Sequence, residues 1–225
     1  MKLSKDQIQE IDNYIAASGV EWYDVRTELV DHFANILEGQ LKDDPNLHLK
    51  KELTKIHKQF NNNGFKELIN TKTKEVERKY FKSVSKYLLS FFTIPKIILT
   101  IFSFYALVRI MNSFNNIEYF FNILYGFSIL IAVQFILRNY YSDKKNRKKF
   151  LTLDRGKKFN RFFFLFLLFN SVTILGTDHS FENQLYNYVQ LFVFVVIILF
   201  YISIEVIYFY SKKEIKHQYP DIKIV

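Results

Sequence analysis

Arg138–Arg161, RNYYSDKKNRKKFLTLDRGKKFNR, decides how this chain is read. The stretch carries ten Lys/Arg against two Asp and lies between two long apolar segments. Lysine and arginine beside membrane spans are retained on the cytoplasmic side, so this loop fixes the orientation of everything around it.

Working outward, four apolar segments flank the loop: Tyr87–Met111, Ile117–Leu137, Phe162–Gly176 and Tyr186–Tyr210. Each is read as a membrane span. Pro95 and Lys96 interrupt the first, which predicts a kink, or an interfacial helix ending before a span that starts near Ile94. The third is only fifteen residues long, about 22 Å of helix, so it is expected to draw on flanking residues or to sit in thinned bilayer. The connections Asn112–Asn116 and Thr177–Tyr188 hold no Lys or Arg, whereas the tail Ser211–Val225 holds four lysines. Four spans with both termini inside satisfy every connection. A soluble fold would have to bury four apolar segments that have no matching polar face, and is rejected.

The expected fold class is therefore all-α. A small N-terminal cytosolic helical domain (1–64) leads through a basic juxtamembrane helix (65–94) to a four-helix transmembrane bundle (95–210). The basic loop 138–161 lies within the bundle sequence, and 211–225 form a cytosolic tail.

Composition agrees with this division. The formal net charge is +9, with fifteen basic and fourteen acidic side chains in 1–86 but sixteen and eight in 87–225. The excess thus lies beside the spans. Positive-inside sorting and anionic lipid headgroups at the basic loop account for it, and no nucleic-acid partner is expected. The absence of cysteine excludes disulfides, thiolate metal sites and a cysteine nucleophile. The start, MKLSKDQIQEIDNY, has no apolar h-region, so no cleavable signal peptide is expected and the first domain stays where it is made.

Within that domain, Ser4 and Gln7 have the form of a capping box. Ile8, Ile11 and Ile15 follow at helical spacing, and Gly19 is placed as a stop. The second helix, about Trp22 to Leu41, has the apolar stripe Trp22, Val25, Leu29, Phe33, Ile36, Leu37 and Leu41. Its other side carries Asp24, Glu28, Asp31, Asn35 and Glu38, spaced so as to share one face. A third helix uses Leu49, Leu53, Ile56 and Phe60, between the breakers DDPN at 43–46 and NNNG at 61–64. Residues 1–49 hold four basic and ten acidic side chains, and 50–86 hold eleven and four. The basic part is expected nearest the bilayer, and the acidic face is expected to meet a protein partner. Loop, basic helix and tail together would form a positive collar. The acidic domain could fold back onto that collar through a contact that salt weakens if it is electrostatic.

The run Trp22–Glu38, WYDVRTELVDHFANILE, resembles the N-terminal module of bacterial HAAS-type membrane proteins, in which a Glu-Leu-x-Asp-His core precedes transmembrane helices. Glu28, Leu29, Asp31 and His32 are the matching residues, and the resemblance covers roughly residues 5–70. It implies a bacterial inner-membrane location and a signalling or regulatory role beside a partner such as a transcription factor. The Asn-rich, basic third and fourth helices depart from the pattern.

No residue pattern points to catalysis: H-E-x-x-H, a P-loop, a Rossmann glycine run and G-x-S-x-G are all missing. No cofactor or metal is expected, since Glu28, Asp31 and His32 bring only one histidine to their face. Partner-binding residues are therefore Asp24, Glu28, Asp31, His32 and Glu38. Inside the membrane, Lys96, Glu205, Asn170 and Gln190 are the candidate polar groups; Lys96 and Glu205 either lie apart, with Lys96 snorkelling to the headgroups and Glu205 near the interface, or pair between the first and fourth spans. The leading expectation is an interaction or regulatory protein. The alternative is a small transporter or channel component using Lys96 and Glu205, which with so few spans would require a homo-oligomer.

Overall fold

A computed structural model describes residues 2–43, 48–59, 65–145, 148–161, 181 and 183–222. These residues are helical almost throughout and contain no strand. The helices are α1 (Lys5–Ala17), α2 (Tyr23–Asp43), α3 (Leu49–Lys58), α4 (Phe65–Leu89), α5 (Lys96–Met111), α6 (Ile117–Lys145), α7 (151–161) and α8 (Gln184–Gln218). The predicted third span, with Asn170, lies outside the described residues.

The chain divides into two compact units. The first comprises Met1–Arg78 together with Lys148–Arg155. It opens as the spacing predicts. The Ser4 hydroxyl accepts from the Gln7 amide and the Gln7 side chain accepts from the Ser4 amide, satisfying two donors that a helix start leaves free. Gly19 ends the turn after α1 at φ +92°, a left-handed conformation that glycine adopts without steric penalty.

The apolar stripes of α1, α2 and α3 then meet in one core containing Ile11, Ile15, Leu29, Phe33, Leu37, Leu53 and Ile56. Two further residues join it from beyond the predicted boundary at 64. Phe65 stacks on His57 with ring centroids 4.3 Å apart, and Leu151 arrives from the basic loop. The unit therefore runs to Arg78 and takes in an eight-residue piece of the loop, because those residues supply core side chains.

The second unit comprises Lys79–Arg147 and Gly156–Val225. Two of its helices are long and apolar enough to cross a membrane, Ile117–Ser142 within α6 and Gln184–Gln218 as α8. A third is reached if Phe65–Phe92 and Lys96–Met111, bent by 73°, count as one broken span. The bend falls where the sequence predicts a kink. Thr93 is extended, and Pro95 offers no amide to continue the ladder. At 35 residues, α8 is about 52 Å long. That exceeds a hydrocarbon core of about 30 Å.

Two clusters hold this unit. Met111, Phe120, Phe121, Tyr125 and Leu191 join α5, α6 and α8. Tyr80 and Val84 pack on Ile197 and Ile204, with Phe159 against them. Gly156 lets α7 approach closely: a Cβ there would stand 3.1 Å from the rings of both Tyr80 and Tyr208. The outer faces of α5, α6 and α8 remain apolar and exposed, including Ile98, Phe102, Ile123, Leu130 and Phe192. That is how helices meet lipid.

The two environments respond differently to truncation. Phe33→Ala, in the core of the first unit, is expected to destabilise that unit by about 3–5 kcal/mol. Phe102→Ala, on an exposed apolar face, should leave the same denaturation midpoint unchanged for the protein in detergent.

Candidate functional site

The first unit contains a junction that neither of its parts reveals alone. The start of α2 lies beside the start of α7, and the two satisfy each other's free amides. The Tyr23 amide donates to the Lys149 carbonyl at 2.7 Å, closing an isolated bridge between Trp22 and Lys149. In return, the Asp24 carboxylate accepts from the Leu151 amide, at 3.1 Å from each of its oxygens, and from the backbone at Thr152. It also accepts from the Val25 amide at 3.1 Å. A helix start needs an acceptor and favours negative charge; here both come from a residue 127 positions away.

Side chains reinforce the backbone contacts. Leu151 is 1% exposed and belongs to the core of the unit. Phe150 meets Tyr23 edge to face at 5.8 Å, the Lys148 ammonium lies 3.6 Å from the centre of the Tyr23 ring, and the Arg155 guanidinium covers Trp22 at 5.5 Å. Lys149 pairs with Glu21 at 2.7 Å, and Arg155 with Glu77 at 3.4 Å.

Magnitudes rank these contacts. Lys149 and Glu21 are both largely exposed, and such pairs contribute about 0–1 kcal/mol. Burying a leucine contributes about 1.5–3 kcal/mol, and an N-cap acceptor about 1 kcal/mol. Burial and capping therefore hold the segment 148–155 in the first unit more than charge does. High salt should leave it largely intact.

Ionisation follows the same division. Burial raises the Asp24 pKa above the ordinary aspartate value, partly offset by the amides of Leu151, Val25 and Thr152. Glu21 is lowered by its hydrogen bond to Lys149.

Of the five residues predicted to share one partner-binding face, Asp24, Glu28 and Glu38 are each engaged by a different segment. Asp24 is in the junction. Glu38 accepts from the Leu3 amide at 3.0 Å and ties down the N-terminal strap. Glu28 meets Lys72 of α4 at 2.7 Å while staying largely exposed. Asp31 and His32 are exposed. Among the described residues no three His, Asp or Glu side chains gather as a metal ion would require.

In the second unit, Lys96 and Glu205 do not pair with each other. The Lys96 ammonium donates to the Ser90 hydroxyl at 2.9 Å and lies over the rings of Tyr87 and Phe91 at 4.4 and 5.1 Å. It is satisfied within its own bend. Glu205 is instead clamped by Arg138 in a two-pronged ion pair at 2.6 and 2.7 Å, and accepts from the Asn160 amide group at 2.7 Å. Gln190 is half-buried on α8, whereas Asn187, one turn earlier, is fully buried and donates to the Phe181 carbonyl at 2.8 Å.

The sequence reading thus misses Arg138 and Asn160 as the partners of Glu205. Their signal was depth: Arg138 ends the second apolar segment, and Glu205 lies just before the end of the fourth. No protein family, curated protein or solved structure matches the chain.

Asp24→Asn keeps an acceptor for the α7 amides, whereas Asp24→Ala removes it and should weaken docking of 148–155 by about 0.5–2 kcal/mol. Amide exchange at Leu151 and Thr152 measures both. Because the folded pKa of Asp24 is raised, the folded state binds its proton more tightly. Stability from this group is fully present below the ordinary aspartate value and declines as pH rises through the raised one. Asp24→Asn is expected to remove that decline in a pH series of denaturation midpoints.

Proposed function

We propose that the protein is an integral membrane interaction protein of regulatory type, whose first unit docks a partner through the α2 surface. The observation that carries this reading is the junction itself. The Glu21–Asp24 corner already receives a basic, aromatic peptide, Lys148–Arg155, using capping amides, a buried leucine and cations over aromatic rings. The α2 surface is thus chemically suited to the basic start of a helix. Beyond the junction the same helix carries Glu28, Asp31 and His32, the residues that resemble the HAAS-type core, and all three are exposed. A partner bearing a basic helix fits that remainder.

In this reading the apolar helices form a four-span bundle in a bacterial inner membrane, with both termini and the basic loop cytoplasmic. Support comes from the Lys/Arg-free connection at 112–116 and the lysine-bearing end of α8. No catalytic step is assigned. The clamp on Glu205 gives that carboxylate a structural role in joining α6, α7 and α8.

The test is capture by crosslinking from the native membrane, comparing the unaltered chain with Glu28→Lys/Asp31→Lys. Both positions are exposed, so the fold should persist while partner recovery falls about tenfold, as reversal of rim charges slows association. An unchanged set of captured proteins would sink the proposal. Leu151→Ala, which frees the basic segment, should change recovery without altering the exposed acidic residues.

A further inference from the structure

The segment Lys148–Arg155 enters the first unit as a separate piece. Residues up to Arg147 and from Gly156 onward belong to the second unit. The segment meets three needs of the first unit at once. The Lys149 carbonyl accepts from the Tyr23 amide, and the amides of Leu151 and Thr152 donate to the Asp24 carboxylate. The Leu151 side chain, 1% exposed, completes the core. Removing the segment takes the acceptor from one amide, two donors from one carboxylate and an apolar side chain from the core. A metal ion or an inorganic anion cannot replace all of these. A peptide that is beginning a helix can, because it offers a carbonyl, two successive amides and a side chain in that order.

We infer that the α2 corner is a peptide-binding site held in a self-occupied state, with Lys148–Arg155 as its internal ligand. The inference rests on the partner-docking reading and gives that partner a chemistry. The displacing segment begins a helix with a cation, an aromatic residue and a leucine at the spacing of Lys148, Phe150 and Leu151. Its cation takes the place of Lys148, 3.6 Å from the centre of the Tyr23 ring, and its aromatic residue meets that ring edge to face as Phe150 does. Self-occupation is the resting state, since covalent connection on both sides holds the segment at an effective concentration of about a millimolar. A partner prevails through contacts beyond the corner. Glu28 and Asp31 stay exposed farther along α2, so a longer basic helix gains from both. The segment and the partner then exclude each other, and the internal contact is autoinhibitory.

The experiment uses the full-length protein in neutral detergent and an acetylated synthetic peptide of residues 148–161, KKFLTLDRGKKFNR. Trp22 is the chain's only tryptophan and lies 5.5 Å from the Arg155 guanidinium, so its emission reports occupancy of the corner. Leu151→Ala in the protein weakens the internal ligand and empties its place in the core. The peptide should then bind at least about tenfold more tightly than to the unaltered protein, and raise the lowered melting temperature. The same peptide with Leu151→Ala carries equal charge and should do neither. Lys148→Ala/Arg155→Ala weakens the internal ligand without touching the core, and decides the matter if Leu151→Ala does not fold. For that variant the affinity of the peptide should rise at least about fivefold. Absence of binding to the folded variants overturns the inference. So does equal affinity for altered and unaltered protein, or equal action of the two peptides. No native partner enters this test, so its failure is distinct from that of the capture experiment with Glu28→Lys/Asp31→Lys.

Discussion

The carboxylate of Asp24 accepts hydrogen bonds from the starts of two helices. The amide of Val25 belongs to α2, and the amides of Leu151 and Thr152 begin α7. Free amides at a helix start must find acceptors, and buried ones that fail to do so are strongly unfavourable. α7 is short and preceded by a run of lysines, so its own sequence offers no good capping residue. It obtains one from α2 and returns the Lys149 carbonyl to Tyr23. With the caps in place, Leu151 reaches the core of the first unit.

The two units solve the problem of charge differently. In the first, the contacts that hold are apolar or backbone-based, and a pair such as Lys149–Glu21 is largely exposed. In the second, a carboxylate within the apolar run of α8 needs full compensation. Glu205 obtains both hydrogen bonds of a guanidinium and a third from a buried amide. Such a clamp is the arrangement under which an ionised pair survives away from bulk water. Lys96 meets the same need with a hydroxyl and two aromatic rings, because it sits at a bend where the chain folds back beside it.

Much of the first unit was legible in the sequence because its signals are local. The Ser4–Gln7 box, Ile11 and Ile15 of α1, Gly19 and the stripe of α2 each act within one or two turns and appear where spacing places them, whereas Ile8 is exposed. The acidic face of α2 was legible as a pattern but not as a site. Asp24, Glu28 and Glu38 share a helical face, yet each is engaged by a different distant segment: Leu151, Lys72 and Leu3. Periodicity reports which residues share a side and carries no information about what approaches that side.

By itself, the sequence determined that the described residues are helical and located two apolar helices long enough to cross a membrane, those containing 117–137 and 186–210. Those properties follow from side-chain hydrophobicity and spacing, which need no partner. It also marked Arg138–Arg161 as a strongly basic segment between apolar ones. Only the tertiary structure decided how that segment is used. Arg138 and Lys157 go to a polar cluster with Glu205 and Ser142, while Lys148–Arg155 becomes part of the first unit. A run of like charges looks uniform in sequence. Its members part company because one buried leucine and two free helix starts outweigh the net charge around them.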